Sequence, residues 1–135
     1  MHEVIVENVR AVGATGDVVM ILKEKEGIRT IPIWIGLLEA QSISIALEQI
    51  PFPRPLTHDL FLITLGKFGA RIKSVIITGV ALNTFFAKIQ IEQGKEIIEL
   101  DARPSDGVAL ALRAQAPIFA AEELFVTPNN NNKRV

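Results

Sequence analysis

Two carboxylates, a guanidinium and a hydroxyl fall within six residues in Asp101-Ala-Arg-Pro-Ser-Asp106. A strand ending at Asp101 and a helix starting near Ser105 would set these groups on a rigid frame, where loops commonly carry reactive side chains. Asp101 and Asp106 could then share one Mg2+ or Mn2+ ion. A phosphodiester would meet that ion, Arg103, Ser105 and the free amides of the helix start. A plainer reading competes: Ser105 as an N-cap, Asp106 as a first-turn acid, and Asp101 bonded to loop amides or Arg103. Glu39 raises the same choice. The helical wheel sets it beside Ile43, Ala46 and Ile50, so it needs a compensating partner, and it serves either the helix dipole or a site for a metal or a base. In Pro53-Arg-Pro-Leu-Thr-His-Asp59, prolines stiffen the approach to a helix start. There His58 could act as general acid or base and Arg54 could bind phosphate; otherwise His58 packs and Arg54 stays in a solvated loop or an interface.

The elements that must position these residues follow from periodicity. Val4, Val6 and Val9 alternate with polar residues as in a half-buried strand, and Gly13 and Gly16 end the pattern. Residues 17–25 and 28–35 read as a hairpin around Glu26-Gly27, with Pro32 placing the later strand at an edge or a bulge. Residues 37–49 read as a helix. Pro51, Pro53 and Pro55 enforce an extended connector. Thr57 would cap a second helix over 58–68 with an apolar stripe of Leu60, Phe61, Thr64, Leu65 and Phe68. Strands over 71–82, 85–92 and 96–101 follow, with turns at Asn83-Thr84 and Gly94. A third helix spans about 105–115 and stops at Pro117.

Val18 to Gly27 aligns without a gap on Phe85 to Gly94. After a slip of two residues, Ile43, Ile45, Ala46 and Leu47 fall on Val108, Leu110, Ala111 and Leu112. The expected fold is therefore α+β: two intertwined β-β-β-α repeats forming a mainly antiparallel sheet covered by helices, with an extra linking helix. The single domain is expected over 1–127, followed by a disordered polar tail over 128–135. Three helices are too few to cover both faces of such a sheet, so leftover apolar surface points to a homodimer.

Composition narrows the functions. The chain has 135 residues, 14 Lys plus Arg against 15 Asp plus Glu, and 49% hydrophobic residues, enough for one self-sufficient core. The lack of cysteine removes thiol catalysis, zinc ribbons and disulfide frameworks, and His2 and His58 alone cannot build a multi-histidine metal site. A net charge of -1 without basic clusters gives nucleic acid no bulk electrostatic grip. Apolar runs are too short to span a bilayer, and Met-His-Glu-Val lacks the features of a signal peptide, so no membrane association and a cytoplasmic location are expected.

Three stretches together, Pro32-Ile-Trp-Ile-Gly-Leu-Leu-Glu-Ala40, Arg54-Pro-Leu-Thr-His-Asp-Leu60 and Asp101-Ala-Arg-Pro-Ser-Asp-Gly-Val-Ala-Leu-Ala-Leu-Arg113, resemble the bifunctional nuclease domain family of bacteria and plants. The resemblance covers about residues 2 to 125. It implies an α+β fold that occurs as a dimer, and nuclease activity on DNA and RNA. It brings no established catalytic set, but its matching polar positions are Glu39, Arg54, Thr57, His58, Asp59, Asp101, Arg103, Ser105 and Asp106. Gly107 stands where the pattern usually has alanine and is expected to loosen the helix start. The short helical motif that some relatives append is replaced here by the Asn-rich tail, which puts a tethering role through that motif in doubt.

The leading expectation is metal-assisted phosphodiester hydrolysis: Asp101, Asp106 and Glu39 at Mg2+ or Mn2+, Arg54 and Arg103 on phosphate, His58 moving protons. The rival is a non-catalytic homodimeric regulatory or interaction module whose polar residues form a structural network. A third reading is a pocket for an anionic ligand at two helix starts.

Overall fold

In the computed structural model, which describes residues 1–127, the alternating stretches become strands of one sheet with three helices. β1 (His2–Val12), β2 (Asp17–Glu24) and β3 (Thr30–Ile35) pair antiparallel in chain order and lead into α1 (Leu37–Glu48). After the proline connector come α2 (Thr57–Lys67) and a second antiparallel meander, β4 (Ala70–Ala81), β5 (Thr84–Gln93) and β6 (Glu96–Ala102), then α3 (Pro104–Ala114). β7 (Ile118–Ala120) completes a seven-stranded sheet in the order β3-β2-β1-β7-β4-β5-β6. The class is α+β and the sheet is mainly antiparallel, as expected.

β7 is the strand the sequence did not announce, because three residues are too few to show a period. It pairs antiparallel with β1 and parallel with β4, so it is the seam between the two meanders. Parallel pairing needs a long crossover, which α3 helps to provide.

Register sorts the sheet into two faces. Val4, Met20, Leu22, Ile31, Ile33, Val75, Ile77, Ile89, Ile91, Ile118 and Ala120 point to the side where α1 and α3 pack, and they share one core with Ile43, Val108, Leu110 and Ala111. At roughly 25 cal/mol per Å2, this burial is the main stabilising term. The opposite face carries Ile5, Trp34, Phe86 and Ile97, all substantially exposed. No helix among the described residues is long and apolar enough to cross a membrane.

Several local expectations shift. α2 turns its Phe61, Leu62 and Leu65 to the core and leaves Leu60, Thr64 and Phe68 exposed, so the inward stripe is narrower than the wheel suggested. Leu56 and Arg103, not Thr57 and Ser105, are the N-caps of α2 and α3, and neither caps with a side chain of its own. The β4–β5 turn is Leu82-Asn83, one residue earlier than expected, with φ of 51° and 63°. Both values lie in the left-handed region that two-residue hairpins of the primed type require. Gly107 does not loosen its helix. A Cβ there would lie 2.8 Å from Val75 Cγ1, so the glycine lets α3 sit close on β4. The Asn-rich tail expected over 128–135 lies outside the described residues.

Candidate active site

Three helix starts converge where the sequence reading placed its candidates. Glu39, Asp59 and Asp106 each occupy the first turn of their helix, where a carboxylate answers the positive end of the dipole. A hydrogen-bonded chain then links the three helices. Arg103 donates through Nε to Asp106 Oδ2 at 2.9 Å and stands 3.6 Å from Glu39 Oε2. Asp106 Oδ1 receives His58 Nε2 at 2.9 Å, and His58 Nδ1 meets Ser42 Oγ at 2.7 Å. Glu39, Ser42, His58, Arg103 and Asp106 line one depression of about 360 Å3, together with Leu38, Ile45 and Leu56.

Electrostatics keeps Asp106 ionised. Burial pushes the Asp106 carboxyl up, but hydrogen bonds from Arg103 and His58 and their charges outweigh it and hold the group below its ordinary range. Arg103 is raised in turn, first by its hydrogen bond to Asp106. A carboxylate only accepts, so His58 Nε2 carries the hydrogen. In the neutral ring Nδ1 is then an acceptor, and the Ser42 hydroxyl donates to it.

A second tie lies behind this chain. Arg113, on α3, donates to Asp59 Oδ1 at 2.9 Å, to the Ala109 carbonyl at 2.9 Å and to the Ser42 carbonyl at 3.1 Å. Asp59 also accepts the Leu56 amide at 2.9 Å and so caps α2. Arg113 therefore fixes the α1 backbone at the residue whose side chain meets His58.

Of the candidates read from sequence, Glu39, His58, Arg103 and Asp106 are brought together. Asp101 is not in the chain. It pairs with Lys88 in the β5–β6 ladder and alternates onto the sheet face away from the helices, bordering at the strand end a depression of about 260 Å3 that His58 and Asp106 also line. Ser105 is buried beneath the start of α3. Thr57, exposed at the start of α2, lines the same depression as His58 without joining the hydrogen-bonded chain. Arg54 lines a separate depression of about 560 Å3 with Phe52, Asp59 and Arg113. No cluster of three or more His, Asp or Glu suited to a metal ion occurs among the described residues, and both Asp106 oxygens already accept from Arg103 and His58.

Sequence reasoning missed Ser42 and Arg113. Ser42 follows Glu39 by three residues and shares its helix face, and Arg113 follows Asp106 by seven, two turns along one face. That spacing was the available signal.

The bifunctional nuclease domain matches residues 20–131. The chain belongs to this family. An uncharacterized protein of Mycobacterium tuberculosis is 38% identical over 125 residues, covering 93% of this chain and 74% of the relative. Proteins called bifunctional nuclease 1 from Oryza sativa subsp. indica and bifunctional nuclease from Oryza minuta are each 28% identical over 104 residues, covering 73% of this chain. The match takes in 31% of the length of the rice proteins. Within the family region lie α1, α2 and α3 with its N-cap Arg103, which together hold every member of the hydrogen-bonded chain.

Proposed function

We propose that this bifunctional nuclease domain hydrolyses phosphodiester bonds of DNA or RNA in the depression lined by Glu39, Ser42, His58, Arg103 and Asp106. The observation that carries the reading is the placement of His58, held between Ser42 and Asp106 with Arg103 alongside, in residues at or near the starts of three helices. His58 moves the proton. Arg103, 65% exposed in its side chain and held by Asp106 and Glu39, presents its guanidinium edge to a phosphate entering from solvent. The helix starts add partial positive charge where the phosphate arrives. Arg54, in its own depression, supplies a second contact for a longer strand.

The test is cleavage of labelled single-stranded and duplex DNA and RNA by wild type, Asp106→Asn, His58→Ala and Asp101→Asn, purified identically, each with Mg2+, Mn2+ or EDTA. Loss of cutting in Asp106→Asn and His58→Ala, with cutting kept by Asp101→Asn, supports the reading. Equal cutting by all four proteins, or by none, refutes it.

A second reading, a non-catalytic homodimeric regulatory or interaction module, draws on two observations. The first-turn acids are already paired within the chain by Arg103 and Arg113, and Ile5, Trp34, Phe86 and Ile97 expose an apolar sheet face. It predicts a dimer by light scattering that Trp34→Asp dissociates, and no cleavage under any condition.

A further inference from the structure

We infer that Ser42 is a covalent nucleophile, activated by His58, and that the site needs no metal ion to cleave its substrate. The inference rests on the phosphodiesterase reading above and adds the chemical route.

Four observations converge on Ser42. Its hydroxyl lies 2.7 Å from His58 Nδ1, within the reach a general base needs. The opposite ring nitrogen is occupied by Asp106 at 2.9 Å, so the ring is held in the tautomer whose free lone pair faces Ser42. Nucleophile, base and carboxylate thus stand in line, the arrangement by which serine hydrolases on unrelated folds are recognised, here with the two ring nitrogens exchanged. Serine in mid-helix ordinarily returns its hydroxyl to a carbonyl one turn back. Ser42 instead reaches across to α2, and its own carbonyl is pinned by Arg113. Finally, Ser42 is partly exposed and lines the depression in which a substrate would sit. With both oxygens of Asp106 committed within the chain, this hydroxyl is the nucleophile that the donor set offers.

The steps balance without a further reactant except water. Ser42 Oγ attacks phosphorus while its proton passes to His58 Nδ1. The bond from phosphorus to the leaving sugar oxygen breaks, and His58 returns the proton to that oxygen, leaving one nucleic acid fragment esterified to Ser42. Water then attacks phosphorus, giving a proton to His58. The bond to Ser42 Oγ breaks, and the hydroxyl recovers its proton. Asp106 is a positioning residue throughout: it orients the ring and stabilises the charged imidazolium. Arg103 faces the charge that builds on the phosphoryl oxygens.

The test uses the full chain, a labelled single-stranded oligonucleotide in EDTA, and wild type beside Ser42→Ala, Ser42→Cys and His58→Ala, with folding checked by thermal melting. Wild type should cleave and, when quenched in denaturant, should carry label on the peptide containing Ser42. Ser42→Ala should lose on the order of 10³-fold in kcat with KM nearly unchanged. Cleavage by a folded Ser42→Ala within about threefold of wild type overturns the inference and leaves the nuclease reading standing. A fluorophosphonate probe, which phosphorylates activated serines without any nucleic acid, separates the two failures. If wild type cuts no nucleic acid, modification at Ser42 that His58→Ala abolishes keeps the nucleophile and sinks the substrate assignment. Absence of that modification sinks the nucleophile whatever Ser42→Ala and Ser42→Cys do to folding.

Discussion

Replacing Arg113 with methionine keeps the length of the side chain and removes its guanidinium, and the structure sets what that should cost. The side chain is 8% exposed and makes three hydrogen bonds, to Asp59 and to the Ala109 and Ser42 carbonyls. Asp59 is 37% exposed and keeps the Leu56 amide, so water can take over much of its solvation and losing that pair should cost only about 1 kcal/mol. The two helix carbonyls lose charge-assisted bonds in a buried setting, at about 1 kcal/mol each toward the low end of the usual range. The expected loss is about 3 kcal/mol, which for a domain of this size lowers Tm by about 10 °C. Urea unfolding followed by far-ultraviolet circular dichroism gives the free energy, and an unchanged m-value shows that the same surface is exposed. A loss below about 1 kcal/mol would refute the claim that Arg113 ties α1, α2 and α3 together. The cycle with Asp59→Asn should show coupling of about 1 kcal/mol, because the two residues share one contact.

Further outcomes follow from other parts of the structure. Ile43 is fully buried on the inner face of α1, so Ile43→Ala should cost about 3 kcal/mol in the same urea experiment. Leu82 is 98% exposed with φ of 51°, so Leu82→Asn should relieve the left-handed penalty and raise stability by up to about 1 kcal/mol in calorimetry. Gly107→Val should destabilise by about 2 kcal/mol through overlap with Val75, and Val75→Ala in the same chain should recover part of the loss. Glu122 is held at a pKa of about 2 by the Arg29 side chain and by His2, against an ordinary 4.5. Its folded pKa is depressed, so the stability it lends is complete above pH 4.5 and is lost as pH falls through about 2. Glu122→Gln should therefore flatten the dependence of Tm on pH between those limits.

Much of this architecture was legible because strands and helices repeat with different periods. Alternation marked β1, the triple proline marked the break between α1 and α2, and of the edge or bulge that Pro32 offered for β3 the structure takes the edge, where β3 pairs only with β2 in the sheet order. β7 was not legible, since its three residues gain their conformation from β1 and β4 on either side. The site was partly legible for a related reason. Glu39, His58, Arg103 and Asp106 are polar residues at helix starts, where sequence announces them. Ser42 looked like an ordinary helix residue, and only the packing of α1 and α2 against α3 gives it His58 as a partner. Asp101 and Asp106 were five positions apart and read as a pair, yet Asp106 joins the chain through Arg103 and His58 while Asp101 sits in the β5–β6 ladder at the rim.

The three-residue seam has a consequence for the order of events during folding. Each meander closes through contacts near in sequence, whereas β7 must bring residues 118–120 against β1 at the far end of the chain. Contacts of that separation carry the largest loop-closure entropy and form late. During synthesis the helices that carry Ser42, His58 and Asp106 would leave the ribosome before the seam can close. A nascent chain stalled before Ile118 should therefore hold two separate meanders with the edges of β1 and β4 open. Those edges invite pairing with a second chain, so strand exchange between copies is the misassembly this topology has to outrun.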